Sequence, residues 1–197
     1  MKLKLLLAMA ALVVMAQPTV HASPIIYQGN ITVSGPAVTG FVGPFGWFDS
    51  TDTPPVEFWT FFGIAGRQYS IRGTRLNTNL DPALALYFGT ITPGTDYSLF
   101  DPFNSFDAVQ LVANGDDEIE VPGPFGDPFV RLSLPRTGLY TIALGGAASD
   151  CPGGVCPANG YPYSLTVAVP EPSTLPLLLL ALAGIGWTLR RNGWAWR

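Results

Sequence analysis

The sequence predicts an all-β protein, a two-sheet antiparallel β-sandwich of jelly-roll-like form. Three observations carry that prediction. Short runs of β-branched and aromatic residues are punctuated by turn residues, with 22 Gly and 19 Pro in a chain of 197. Apolar and polar residues alternate at period two near the C-terminal end, as in strands buried on one face. No segment between the two ends shows the 3.6-residue periodicity of an amphipathic helix.

In chain order, Ile25 to Val33 is the first strand candidate, and the turn Pro54-Pro55 precedes the second, Val56 to Ile64. Gln68 to Gly73 and Ala83 to Gly89 follow, then the turn Pro93-Gly94, then Ala108 to Ala113 closed by Asn114-Gly115. Val130, Leu132 and Leu134 alternate with Arg131 and Ser133, and Tyr140, Ile142 and Leu144 alternate with Thr141 and Ala143. The last run is the clearest: Tyr161, Tyr163, Leu165, Val167 and Val169 share one face, while Ser164, Thr166 and Ala168 take the other. About eight strands result, enough for two packed sheets. Thr90 to Asp107 and Gly145 to Gly160 read as long surface excursions. Gly43-Pro44-Phe45-Gly46 recurs as Gly123-Pro124-Phe125-Gly126, but at no fixed period, so it is turn chemistry and not a repeat.

The two ends are not part of that body. Lys2 and Lys4, the apolar stretch Leu5 to Ala16 and the small-residue pattern Val20-His21-Ala22 describe a secretory signal peptide, residues 1–22, cut by signal peptidase. At the other end Val169-Pro170-Glu171-Pro172-Ser173-Thr174 leads into the apolar run Leu175 to Leu189 and then Arg190-Arg191. As a helix that run reaches about 22 Å, short of the ~30 Å hydrocarbon core, so it spans only with snorkelling arginines and a thinned or tilted arrangement. Arg190 and Arg191 hold the C-terminus cytoplasmic, which puts the preceding residues across the membrane. The order Pro170-Glu171-Pro172, apolar run, Arg190-Arg191 resembles the PEP-CTERM sorting tail of Gram-negative bacteria. That resemblance implies that residues 170–197 anchor the precursor in the membrane until an exosortase cuts it; an anchor that is never cleaved is the alternative.

Between Ser23 and Pro170, five arginines face thirteen carboxylates, an acidic body unsuited to binding nucleic acid. The same span has no Lys and no His. Imidazole-dependent triads, Cys-His pairs and His-ligated zinc are thereby excluded. Cys151 and Cys156, in Cys-Pro-Gly-Gly-Val-Cys, are expected to form a disulfide in an exported protein, clamping a loop at about 2 kcal/mol. Their spacing is wrong for a Cys-x-x-Cys redox pair, and two ligands are too few for zinc.

A second resemblance rests on six blocks in order. These are Glu57-Phe58-Trp59-Thr60-Phe61 with Gly66-Arg67-Gln68-Tyr69-Ser70-Ile71, Leu80-Asp81-Pro82-Ala83-Leu84-Ala85-Leu86-Tyr87, Asn114-Gly115-Asp116-Asp117-Glu118, Asp127-Pro128-Phe129-Val130-Arg131-Leu132, Gly138-Leu139-Tyr140-Thr141-Ile142 and Tyr163-Ser164-Leu165-Thr166-Val167. Over about Val56 to Val169 they resemble the bacterial pre-peptidase C-terminal domain, which implies a β-sandwich; with the signal peptide and sorting tail set aside, the β-sandwich domain is expected over residues 23–169. That family usually accompanies secreted peptidases, and some members bind calcium or insoluble substrates; here no peptidase is expected ahead of the domain.

Asn114, Asp116, Asp117, Glu118 and Glu120 crowd one turn with Asp127 a few residues on, a set of hard oxygen donors suited to Ca2+. The resemblance adds Asp81 to this set, because in that family the acidic turn and the Leu-Asp-Pro block approach one another. The alternative is a solvated acidic turn, and the EF-hand pattern is absent. Trp47, Phe48, Phe58, Trp59, Phe61 and Phe62 are read as core in preference to a sugar-stacking platform. Carboxylates on turns offer no evident glycosidase cleft. The expected function is a non-catalytic exported component of the cell surface or extracellular matrix, structural or adhesive, with exopolysaccharide as a partner. A carbohydrate- or peptide-binding module serving a separate enzyme is the alternative, and a small carboxylate hydrolase a third reading.

Overall fold

The computed structural model describes residues 24–43, 45–48, 56–149, 151, 156–170 and 182. The signal peptide, all of the sorting tail except Pro170 and Leu182, and therefore the apolar run as a unit, lie outside the described residues. Among the described residues no helix is long and apolar enough to cross a membrane.

Among the described residues nine strands form two sheets: β1 Tyr27–Asn30, β2 Val38–Val42, β3 Glu57–Gly63, β4 Gln68–Arg75, β5 Leu80–Phe88, β6 Gln110–Gly115, β7 Phe129–Ser133, β8 Gly138–Ser149 and β9 Tyr161–Ala168. One sheet has the order β1-β3-β8-β5-β6 and the other β2-β9-β4-β7. From β2 onward the strands pair from the ends inward, β2 with β9, β3 with β8, β4 with β7 and β5 with β6, all antiparallel. Each inward step changes sheet. The result is one long hairpin rolled upon itself, the expected jelly roll.

The departures from the expected strands have local causes. β1 pairs with β3 in parallel, so the sheets are not wholly antiparallel. It can do so because the chain crosses to the opposite sheet as β2 before returning as β3, and no tight hairpin joins the parallel pair. β2 escaped notice because Gly40 interrupts it and Gly35-Pro36 and Gly43-Pro44 flank it, which reads as loop. β8 continues past Leu144 through Gly145-Gly146-Ala147-Ala148 into the supposed excursion, which therefore begins only after Ser149. Cys151 and Cys156 in the remaining loop are disulfide-bonded, as expected.

Between the sheets lies the main core, in which Phe61, Tyr69, Ile71, Leu84, Leu86, Tyr140, Ile142, Leu144, Tyr163 and Leu165 are buried. Burying each such side chain contributes about 1.5–3 kcal/mol. A second cluster covers the outer face of the five-stranded sheet and includes Trp47, Phe58, Ala85, Tyr87, Ile91, Tyr97, Phe106 and Val109. Much of its cover, Ile91, Tyr97 and Phe106 with the half-buried Phe100, comes from Thr90 to Asp107, read in the sequence as a loose excursion. That segment instead lays Tyr97 on Phe58 and Phe106 on Tyr87 edge to face. A short 3-10 turn, Tyr97–Leu99, is capped by the Asp96 carboxylate accepting from the Ser98 N–H.

Core aromatics also carry polar work. The Trp59 Nε1–H donates to the Tyr163 hydroxyl at 2.7 Å, and that hydroxyl donates to the Glu57 carboxylate. Buried polar groups need such partners. Burial raises the carboxyl pKa of Glu57, opposed by the Tyr163 and Phe41 hydrogen bonds. Gly40 makes room for this network: a Cβ there would overlap Glu57 Oε2 and lie 2.6 Å from the Tyr163 hydroxyl. Gly40→Ala is expected to lower stability by about 1–3 kcal/mol through overpacking, whereas Thr39→Ala, at an exposed position of the same strand, stays within about 0.5 kcal/mol. Thermal or urea unfolding checks the pair, and equal effects contradict the packing described.

Candidate metal centre

β5 and β6 run antiparallel with Leu84 opposite Gly115, so the start of β5 lies beside the turn that leaves β6. Asp81, near that start, is thereby brought to Asp116 and Asp117. One carboxylate oxygen from each of the three lies within 4.8 Å of the others. Asp81 is buried and the other two are exposed, which makes a cluster with a closed floor and an open mouth.

The turn is held by its own backbone. Ile119 and Asp127 exchange N–H to C=O hydrogen bonds at 3.1 and 2.9 Å. The Glu118 carboxylate accepts from the Asp116 and Phe129 N–H groups, both at 2.9 Å, and Asp117 accepts from the Gly126 N–H. A Cβ on Gly126 would stand 2.7 Å from the Asp117 Cα, so only glycine permits that approach. Asp116 and Asp117 are thus aimed by a rigid turn.

Of the residues singled out in the sequence, the structure brings Asp81, Asp116 and Asp117 together. Asn114 is exposed and lines a small cleft beside Asp116. Asp127 is placed elsewhere. Its carboxylate accepts from the Arg75 N–H at 3.2 Å, lies 3.8 Å from Arg75 Nε and accepts from Arg72 Nη2 at 3.3 Å. Two arginines from β4 have claimed it, and an acid neutralised in this way is a poor cation ligand. Arg75 is itself buried and donates to the carbonyls of Leu80, Val121 and Pro122. The ion pair therefore fixes the residue before Asp81, and it positions the cluster without joining it.

The electrostatics of the three acids are unfavourable. Asp81 is pushed up to about 7, first by burial, then by the charges of Asp116 and Asp117, with Arg75 opposing. Asp116 is also raised, by burial and then by Asp117 and Glu118. Asp81 Oδ1 is buried without a hydrogen-bond partner among the described residues. Such an atom costs about 1–3 kcal/mol unless something satisfies it. Carboxylate oxygens alone, on a turn and a strand, form the donor set of a hard cation such as Ca2+.

A PEP-CTERM protein-sorting motif matches residues 168–192. Such a motif marks an exported protein, and it begins on the last residue of β9. No curated protein matches the chain. Among solved structures, the surface-associated copper-binding protein CorA of Methylomicrobium album BG8 is similar in fold, with a TM-score of 0.56, 16% identity, and coverage of 73% of this chain and 98% of that one. The secreted protein MopE of Methylococcus capsulatus gives a TM-score of 0.49 at 13% identity, covering 76% and 94% of the two chains. The pre-peptidase C-terminal domain of a Bacillus anthracis collagenase gives 0.41 at 13% identity, covering 72% and 96%.

The raised carboxyl of Asp81 has a pH signature. Unfolded, it ionises near its ordinary 3.8, and folded near 7, so the folded protein holds the extra proton between those values. The stability this contributes is complete below about pH 4 and lost as the pH rises through about 7. With chelator present, Asp81→Asn is therefore expected to gain melting temperature relative to wild type as the pH is raised from about 4 to 8. A difference that does not vary with pH contradicts this.

Proposed function

We propose that the protein is a non-catalytic component of the cell surface or extracellular matrix whose jelly roll presents a calcium ion held by Asp81, Asp116 and Asp117. The sorting motif carries the display role: its match begins on the last residue of β9, so it follows the folded body directly in the sequence. Signal peptidase and an exosortase process the two ends, and the run 175–189 holds the precursor in the membrane before cleavage. The role outside the cell is structural or adhesive.

The cation reading rests on chemistry and not on likeness. CorA binds copper, yet between Ser23 and Pro170 this chain has neither His nor Met, and both its cysteines are consumed in the disulfide. Copper favours imidazole and sulfur donors, whereas three carboxylates favour calcium. The orphaned Asp81 oxygen supports a cation over a merely solvated acidic turn, because solubility of the turn gives no reason for β5 to hold a buried carboxylate against it. A cation also offsets the mutual repulsion of the three. The same lack of histidine, with acids committed to a turn, supports a role without turnover.

Two measurements test the halves of this reading. In the native host the protein is expected in the surface or matrix fraction, and replacing Pro170, Glu171 and Pro172 by alanine is expected to retain it with the membranes; recovery of wild type from the cytosol contradicts the display role. At a hundredfold excess over its dissociation constant, calcium is expected to stabilise the fold by about 2.7 kcal/mol. Asp116→Asn with Asp117→Asn abolishes that gain. Wild type melting at one temperature with calcium and with chelator contradicts the cation reading.

A further inference from the structure

Beside the cluster the surface carries a feature that metal binding leaves unused. Phe48 and Phe103 are 68% and 53% exposed; Phe41, Phe45 and Phe62 are exposed as well, but Phe48 and Phe103 are the pair that lines a cleft together. Their rings lie near parallel, with centroids 6.2 Å apart and planes 25° apart. They come from two different loops, so their meeting is a product of the fold. Between them and the acidic turn opens a cleft of about 160 Å³ floored by buried Trp47, with Asn114, Asp116 and Glu118 on its polar side. Asp116 belongs to both the cleft and the carboxylate cluster.

A cleft with an aromatic wall on one side and amide and carboxylate oxygens on the other suits a ligand that is apolar on one face and hydroxylated at its edge. Saccharides have that character: the ring C–H groups lie against an aromatic face while the hydroxyls point outward. A calcium ion takes ~6–8 oxygens, more than three carboxylates supply singly, and vicinal hydroxyls can fill positions left open toward solvent. The volume lies below the ~300–1,000 Å³ of pockets that enclose a whole small molecule, so it suits one ring of a chain whose remainder stays in water. The acidic body repels acidic polymers. With a cation in place, an organic ammonium is also disfavoured.

We infer that this cleft is a saccharide subsite, in which hydroxyls of a neutral polysaccharide complete the coordination of the bound cation and one sugar ring lies on Phe48 and Phe103. The inference rests on the calcium reading above and gives it a ligand class. It also turns display into adhesion, because a surface protein holding a neutral glycan through a cation is a crosslink that chelation reverses.

Affinity electrophoresis of the exported protein through gels cast with dextran, galactomannan or xylan tests this, with calcium-dependent melting measured on the same samples. At least one polysaccharide is expected to retard wild type in calcium and not in chelator. Phe48→Ala and Phe103→Ala, both at exposed positions, are each expected to weaken retardation about tenfold while leaving the calcium-dependent rise in melting temperature at its wild-type size. Asp116→Asn is expected to lose both responses. The subsite is overturned if melting responds to calcium but no gel retards the protein, or if retardation survives both phenylalanine changes or ignores calcium. Loss of the melting response in wild type strikes the cation reading itself, and so separates the two failures.

Discussion

Burial of β5 on both faces is the constraint on which the rest of the molecule depends. Eight of its nine residues, Leu80 to Tyr87, are buried. Leu80, Leu84 and Leu86 belong to the core between the sheets, while Ala83, Ala85 and Tyr87 lie under the loop cover on the far side. A strand buried on both faces must have both edges paired as well, and β8 and β6 supply those edges. This explains why Thr90 to Asp107 is packed and not free. Without it, Tyr87 loses the Phe106 ring set against it and the second core cluster loses a large part of its lid.

The same constraint builds the acidic site. Because a one-residue slip of β5 would exchange the leucines of the main core with the small Ala83 and Ala85 and with Tyr87 on the other packed face, Asp81 is held opposite the turn that carries Asp116 and Asp117. Arg75 adds a second fixed point by bonding the Leu80 carbonyl and the Asp127 carboxylate. The fold therefore forces together three acids that repel one another and raises the carboxyl pKa of the buried one. Proteins tolerate such local conflict mainly where it serves binding or chemistry.

How much of this could be read from the sequence follows from the range of each interaction. β7 and β9 were plain because one face of each meets the core and the other is turned toward solvent, and period-two alternation records that directly; the first part of β8 alternates as well, although Thr141 and Ala143 on its second face are buried and not solvated. β2 was hidden by the glycine that lets Glu57 and Tyr163 approach. The second core cluster was hidden because cover by a loop leaves no periodicity. At the site, the crowding of Asp116 and Asp117 was visible as composition. The contribution of Asp81 came from a family resemblance and no local signal, since β5 and the turn after β6 meet only through pairing. The diversion of Asp127 to two arginines more than fifty residues earlier left no local trace either. Its sequence neighbours suggested the turn, and the fold gave it to β4. The exposure of Phe48 and Phe103 could not be told from that of the buried aromatics around them, because residue type alone does not say which ring faces water.

A sorted, exported jelly roll with a carboxylate cluster beside exposed phenylalanines is coherent as a cation-dependent surface protein, and the cation is the part on which the other inferences turn. The most direct measurement is a crystal structure of the mature protein grown with calcium. It is expected to hold one ion about 2.3–2.6 Å from carboxylate oxygens of Asp81, Asp116 and Asp117, with Asp127 still on Arg72 and Arg75. A cluster without an ion at saturating calcium, with Asp81 protonated or turned onto a protein donor, would contradict it.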